Sequence, residues 1–88
     1  MPAVEDALRA ETEKWLTRLE ALPLGKHPDR RVEEQLVNVR AYLADSRHFL
    51  RQGDLVRAFE AVIYAWGIFE TLERLGLLKK QGKIPGNY

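Results

Sequence analysis

The segment from Leu55 to Leu78 limits what this chain can fold into more than any other part of it. Its middle, Ala61 to Phe69, reads A-V-I-Y-A-W-G-I-F. Phe59, Tyr64, Trp66 and Phe69 place half of the protein's aromatic residues on it. At helical period, Ala58, Val62, Ala65, Phe69 and Leu72 form a central stripe. Leu55, Phe59 and Trp66 widen one side of that stripe, and Ala61 and Ile68 the other. The arc spans roughly 200° of the circumference, against about 100° for a helix lying on one surface. Such a helix must be covered by more than one neighbour.

The rest of the chain supplies two. From about residue 3 to 22, Leu8, Thr12, Trp15, Leu19 and Leu22 recur at spacings of four and three, with Glu5, Asp6 and Glu11 towards the start, where the helix dipole favours negative charge. Pro23 and Gly25 end this helix. A second helix, from about 29 to 52, aligns Val32, Leu36, Val39, Leu43, Ser46 and Leu50, with Tyr42 and Phe49 on one flank. Asp29 either caps it or lies in its first turn. Gly53 suits the left-handed residue after a helix, and Asp54 the N-cap of the third, from 54 to about 75. So short a turn requires an antiparallel hairpin. Gly76-Leu77 resembles a Schellman ending. The expected fold is all-α: one domain over 1–78, a three-helix up-down-up antiparallel bundle. Residues 79–88, with three lysines, read as a loose basic tail.

Composition narrows the functional classes. Net charge is +1, with 45% hydrophobic and 31% charged residues, so the chain is globular and carries no field that draws it onto nucleic acid or membrane. No cysteine is present, which excludes disulfides and thiolate metal sites. No apolar leader and no run of membrane-spanning length occur, and the expected location is cytoplasmic. Nine arginines against five lysines lean towards a heat-adapted source.

Hairpin geometry pairs Tyr42 with Tyr64, Ser46 with Glu60, and Phe49 with Arg57. Tyr42, Asp45 and Phe49 on the second helix, with Glu60, Tyr64, Gly67 and Thr71 on the third, converge on a shallow groove able to take a ligand or partner. The structural alternative is that amphipathic aromatics seal the core edge with their polar tips in water. Gly67 costs about 1 kcal/mol inside a helix, which points to close approach of another backbone, either the first helix or a second copy. Ser46 is expected to bond the carbonyl four residues back or a neighbouring side chain. Glu73 sits on the apolar side of its helix, within reach of Arg30 or Arg31.

Arg40, Arg47 and Arg51 share a face of the second helix and, with Lys79, Lys80 and Lys83, can contact phosphates. Glu33 on the same face favours a salt-bridged surface instead. Asp45 and His48 have the spacing of bundle metal sites, but His48 projects away from the apolar stripe. No metal ligand set, cofactor site or catalytic constellation is assigned.

The stretch Tyr42 to Gly67, Y-L-A-D-S-R-H-F-L-R-Q-G-D-L-V-R-A-F-E-A-V-I-Y-A-W-G, resembles the archaeal family catalogued as domain of unknown function 357. The resemblance rests on Asp45-Ser46, Phe49, Gly53-Asp54, Ala58-Phe59-Glu60 and Tyr64-Ala65-Trp66-Gly67, and it covers roughly 32–78. It implies a three-helix bundle and an archaeal source, and it supplies no activity. The expected function is a non-enzymatic module that binds a protein partner or itself, as a homodimer, through the face of the second and third helices. Nucleic-acid binding through Arg40, Arg47, Arg51 and the tail is the alternative.

Overall fold

The computed structural model describes residues 2–78, and three helices make up its regular structure: α1 (Pro2–Glu20), α2 (Arg30–Arg51) and α3 (Leu55–Arg74). The basic tail, 79–88, lies outside the described residues. The bundle is up-down-up. It is elongated, with extents of 45 × 24 × 17 Å, because each helix is long for so short a chain.

The α2–α3 turn is built from one pair of residues. Gly53 takes φ +77°, where a Cβ would clash with the backbone, and its N–H donates to the Leu50 carbonyl (3.0 Å). The Asp54 N–H donates to the Phe49 carbonyl (2.9 Å), completing a Schellman ending for α2. The Asp54 carboxylate then accepts from the Arg57 N–H and caps α3. Asp54 thus closes one helix and opens the next. Gly76, at φ +75°, ends α3 in the same way: its N–H donates to the Glu73 carbonyl, and the Leu77 N–H donates to that of Leu72.

The α1–α2 connection is longer and held by side chains. Asp29 is the N-cap of α2 and accepts from the Arg31 N–H (2.9 Å). The His27 N–H donates to Glu33 (2.8 Å), and His27 Nδ1 accepts from the Asp29 N–H (3.0 Å). His27 is therefore a loop-shaping residue. The Arg40 guanidinium donates to the Leu24 carbonyl and tethers the loop to α2.

α3 is the central helix. Leu55, Ala58, Ala61, Val62, Ala65, Trp66, Phe69 and Leu72 are all buried on it, and the main core joins six of them, all but Ala61 and Leu72, to Leu16 and Leu19 of α1 and to Val39, Leu43 and Leu50 of α2. Truncating a side chain as enclosed as Phe69 to alanine costs about 3–5 kcal/mol. A smaller cluster of Val32, Leu36 and Leu72 closes the loop end, with Leu24, Ile68 and Leu78 against it. α1 leans chiefly on α3. Trp15 and Trp66 meet edge to face, 5.4 Å between centroids and 82° between planes, and the Trp66 indole N–H donates to the Trp15 carbonyl (3.2 Å).

Three expectations change. The buried stripe of α1 is Thr12, Leu16 and Leu19, while Leu8, Trp15 and Leu22 are only half-buried. The helix is rotated so that Trp15 flanks α3 instead of entering the core. The Ser46 hydroxyl donates across the hairpin to the Ala58 carbonyl (2.7 Å), not back along α2. Glu73 meets neither Arg30 nor Arg31, which pair with Glu34 and Asp29. Its Oε2 is buried with no partner among the described residues.

The Ser46 bond generates a test of the hairpin. Ser46 is fully buried, and the Ala58 carbonyl is its one hydrogen-bond partner among the described residues. Ser46→Ala is expected to lower unfolding free energy by about 1 kcal/mol in chemical denaturation. An unchanged midpoint would show that the bond contributes nothing.

Candidate interaction surface

The short turn sets the register of α2 on α3, and the register builds the surface. Tyr42 stacks on Tyr64, with centroids 5.3 Å apart and planes 17° from parallel. Towards the turn, the Arg57 guanidinium lies over the Phe49 ring, 6.0 Å from its centroid, and also approaches Asp54 (3.6 Å). Between these two contacts and beyond them runs an open groove of about 1180 Å³. Tyr42, Asp45, Phe49, Glu60, Tyr64, Gly67 and Thr71 all line it. Sequence periodicity brought these seven together, and the structure places them on one wall-and-floor arrangement.

Other residues complete the groove. Ile68 and Leu75 extend it towards the C-terminal end of α3, and Ile63 borders its outer side. Ile68 is half-buried and also packs against the core, and Leu75 follows the last helical residue. Tyr64 is 65% exposed, Leu75 67% and Ile63 41%. A second hollow of about 220 Å³, lined by Trp15, Ile63, Trp66, Gly67 and Glu70, lies on the α1 side. Ile63 and Gly67 border both hollows and so form the crest between them.

Gly67 is the informative residue on that crest. A Cβ built there meets nothing within 4 Å, so α1 does not approach it and the intramolecular explanation fails. Nothing within the described chain requires glycine at this position. Glu60 and Asp45 make no ion pair among the described residues, so the groove presents two uncommitted carboxylates beside its aromatic rings.

The basic face is differently disposed. Arg47 forks onto Glu20 (3.1 and 2.7 Å) and reaches Glu13 (2.7 Å), tying α2 to α1. Hydrogen bonding to Glu20 holds the Arg47 guanidinium above its ordinary pKa, with Glu13 adding to the effect. Arg40 pairs with Glu33 (3.0 Å) and the Leu24 carbonyl. Of the three candidate phosphate contacts only Arg51 is without an ion pair among the described residues; Lys79, Lys80 and Lys83 lie outside them. Among the described residues no three metal-ligating side chains cluster, and His48 is exposed, edge-on to Phe49.

Fold and surface define a class: a small three-helix domain whose central helix is left open along an aromatic and apolar face. The chain belongs to the family described as protein of unknown function DUF357, whose model matches residues 9–78. That match takes in most of α1 as well as the hairpin that carries the motif resemblance. The chain is similar in structure to protein AF1782 from Archaeoglobus fulgidus, of the same family, with a TM-score of 0.72 and 42% identity over 89% of this chain and 99% of that one. No curated protein matches it in sequence.

The loop contacts make a pH prediction. Glu33 accepts from the Arg40 guanidinium and from the His27 N–H, and both hold its carboxyl below the usual glutamate range. A carboxylate with a lowered folded pKa stabilises the fold above its unfolded pKa, and that stability is lost as pH falls through the folded value. Thermal stability should therefore fall from the ordinary glutamate range downwards. In Glu33→Gln that part of the acid dependence should be absent; an identical acid profile in the variant would contradict the assignment.

Proposed function

We propose that this protein is a non-enzymatic docking module that binds a protein partner through the α2–α3 face. One observation carries the reading: Ile63, Tyr64 and Leu75 stand exposed around a groove on the helix that otherwise supplies the core. Exposed apolar side chains scattered singly are ordinary, whereas a group of them gathered along one groove is the arrangement expected of an interaction site. The stacked tyrosines offer broad, rigid, amphipathic surface, the type enriched at interfaces. Asp45 and Glu60 add polar groups able to orient what binds.

Phosphate binding along Arg40, Arg47 and Arg51 is the weaker reading, because Arg40 and Arg47 are already committed to carboxylates. No helix among the described residues is long and apolar enough to cross a membrane. Together with the absence of cysteine, this supports action in the cytoplasm. The Archaeoglobus relative supports an archaeal setting, and the excess of arginine over lysine supports a heat-adapted one.

Site-specific photocrosslinking tests the docking face. A benzophenone side chain would replace Tyr64 in one version of the full chain and Ala10, exposed on α1, in another. Irradiation in the native host should give a discrete protein adduct from position 64 and none from position 10. No adduct from position 64, or equal labelling from both, would overturn the reading.

A further inference from the structure

We infer that the partner is a second copy of this chain, with α3 packed antiparallel on α3 across a two-fold axis at Gly67. The inference rests on the docking-face reading and names its occupant. Three features of the outer face of α3 lead to it.

The first is the glycine itself. Gly67 lies in the interior of a 20-residue helix, where glycine is unfavourable, and a side chain there would point into open space. A bare backbone at a surface crest is explained by another backbone lying on it. Helix pairs approach to the short end of the usual 8–10 Å spacing only where small residues meet. In a two-fold arrangement centred on this residue, Gly67 meets Gly67.

The second is the position of charge about that point. Glu60 and Arg74 lie equally far before and after Gly67, each about 10.5 Å along the axis at 1.5 Å per residue. Two full turns separate each from Gly67 to within about 20°, so all three share the outer face. An antiparallel two-fold pairing sets Glu60 of each copy against Arg74 of the other, forming two ion pairs. A parallel pairing would set Glu60 against Glu60 and Arg74 against Arg74. Glu60 makes no ion pair within its own chain among the described residues, and Arg74 has only a loose one, 3.6 Å to Glu70 with the arginine 72% exposed.

The third is shape. Gly67 is the saddle between the α2-side groove and the α1-side hollow. Rotation about the axis keeps each side facing its own kind. Tyr64 of the second copy then meets Thr71 and Ile68 in the groove, and Ile63 of the second copy meets the hollow at Trp15 and Glu70. The two most exposed apolar residues near the crest thus each find a receiving depression. An isologous interface needs this self-complementarity.

Sedimentation of the full chain across micromolar concentrations tests the pairing. The wild type should show a monomer–dimer equilibrium. Gly67→Leu should stay folded by circular dichroism, with a raised Tm from its better helix propensity, while its dimerisation weakens by about tenfold or more. Glu60→Arg and Arg74→Glu should each weaken dimerisation, and the two together should restore it, because the double exchange recreates both pairs with reversed sign. A wild type that stays monomeric at high micromolar concentration overturns the inference. So does undiminished dimerisation of Gly67→Leu, or a double exchange no better than its single parents. The crosslink separates the two failures: an adduct with twice the mass of the chain supports the pairing. An adduct only to a different protein removes the dimer and leaves the docking face standing. No adduct removes both.

Discussion

The turn at Gly53 and Asp54 is the constraint on which the rest of the molecule depends. One left-handed glycine and one aspartate end α2 and begin α3 with no slack between them. The hairpin register follows, and with it every contact along the α2–α3 seam. Phe49 lies under Arg57, Ser46 reaches Ala58, and Tyr42 stacks on Tyr64. A longer, looser turn would let one helix rotate on the other by a residue, and the aromatic pairs would separate.

The part of the structure tied to this turn was legible in the sequence, and the part tied to α1 was less so. Tyr42 with Tyr64, and Phe49 with Arg57, could be counted outwards from Gly53 because a tight turn transmits register. Caps at Asp29 and Asp54 and the ending at Gly76 follow from local chemistry and could be read the same way. α1 is joined through the longer connection 21–29, which fixes neither its rotation nor its height. Leu16, not Trp15, therefore entered the core, and the bonds from Arg47 to Glu13 and Glu20 could not be anticipated. The direction of the Ser46 hydroxyl depended on how near the Ala58 carbonyl came, a packing detail that periodicity does not carry. The groove was visible as a set of residues, whereas its extension through Ile68 and Leu75 depends on how closely α2 seats on α3, which periodicity does not carry.

Three helices do not enclose the middle one evenly. α2 lies along the full length of α3, while α1 covers it with a narrow stripe and the edge of Trp15. What remains is an outer row on α3, from Glu60 through Tyr64 and Gly67 to Thr71, with apolar residues on both sides. Membership of the DUF357 family and similarity to the Archaeoglobus protein establish the bundle and leave the row's purpose to physical argument. With Tyr42 and Asp45 of α2 beside it, the row offers stacked rings, two carboxylates without an ion pair among the described residues and an unexplained glycine, a composition suited to recognition of another surface.

The claim that two copies of the chain pair through this row is tested most directly by nuclear magnetic resonance of the full chain across a dilution series. Resonances of Ile63, Tyr64, Gly67, Thr71 and Arg74 should shift with concentration, while those of Ala10 and Asn38, exposed on α1 and α2, stay fixed. Shifts confined to other faces, or none at any concentration, would contradict the account.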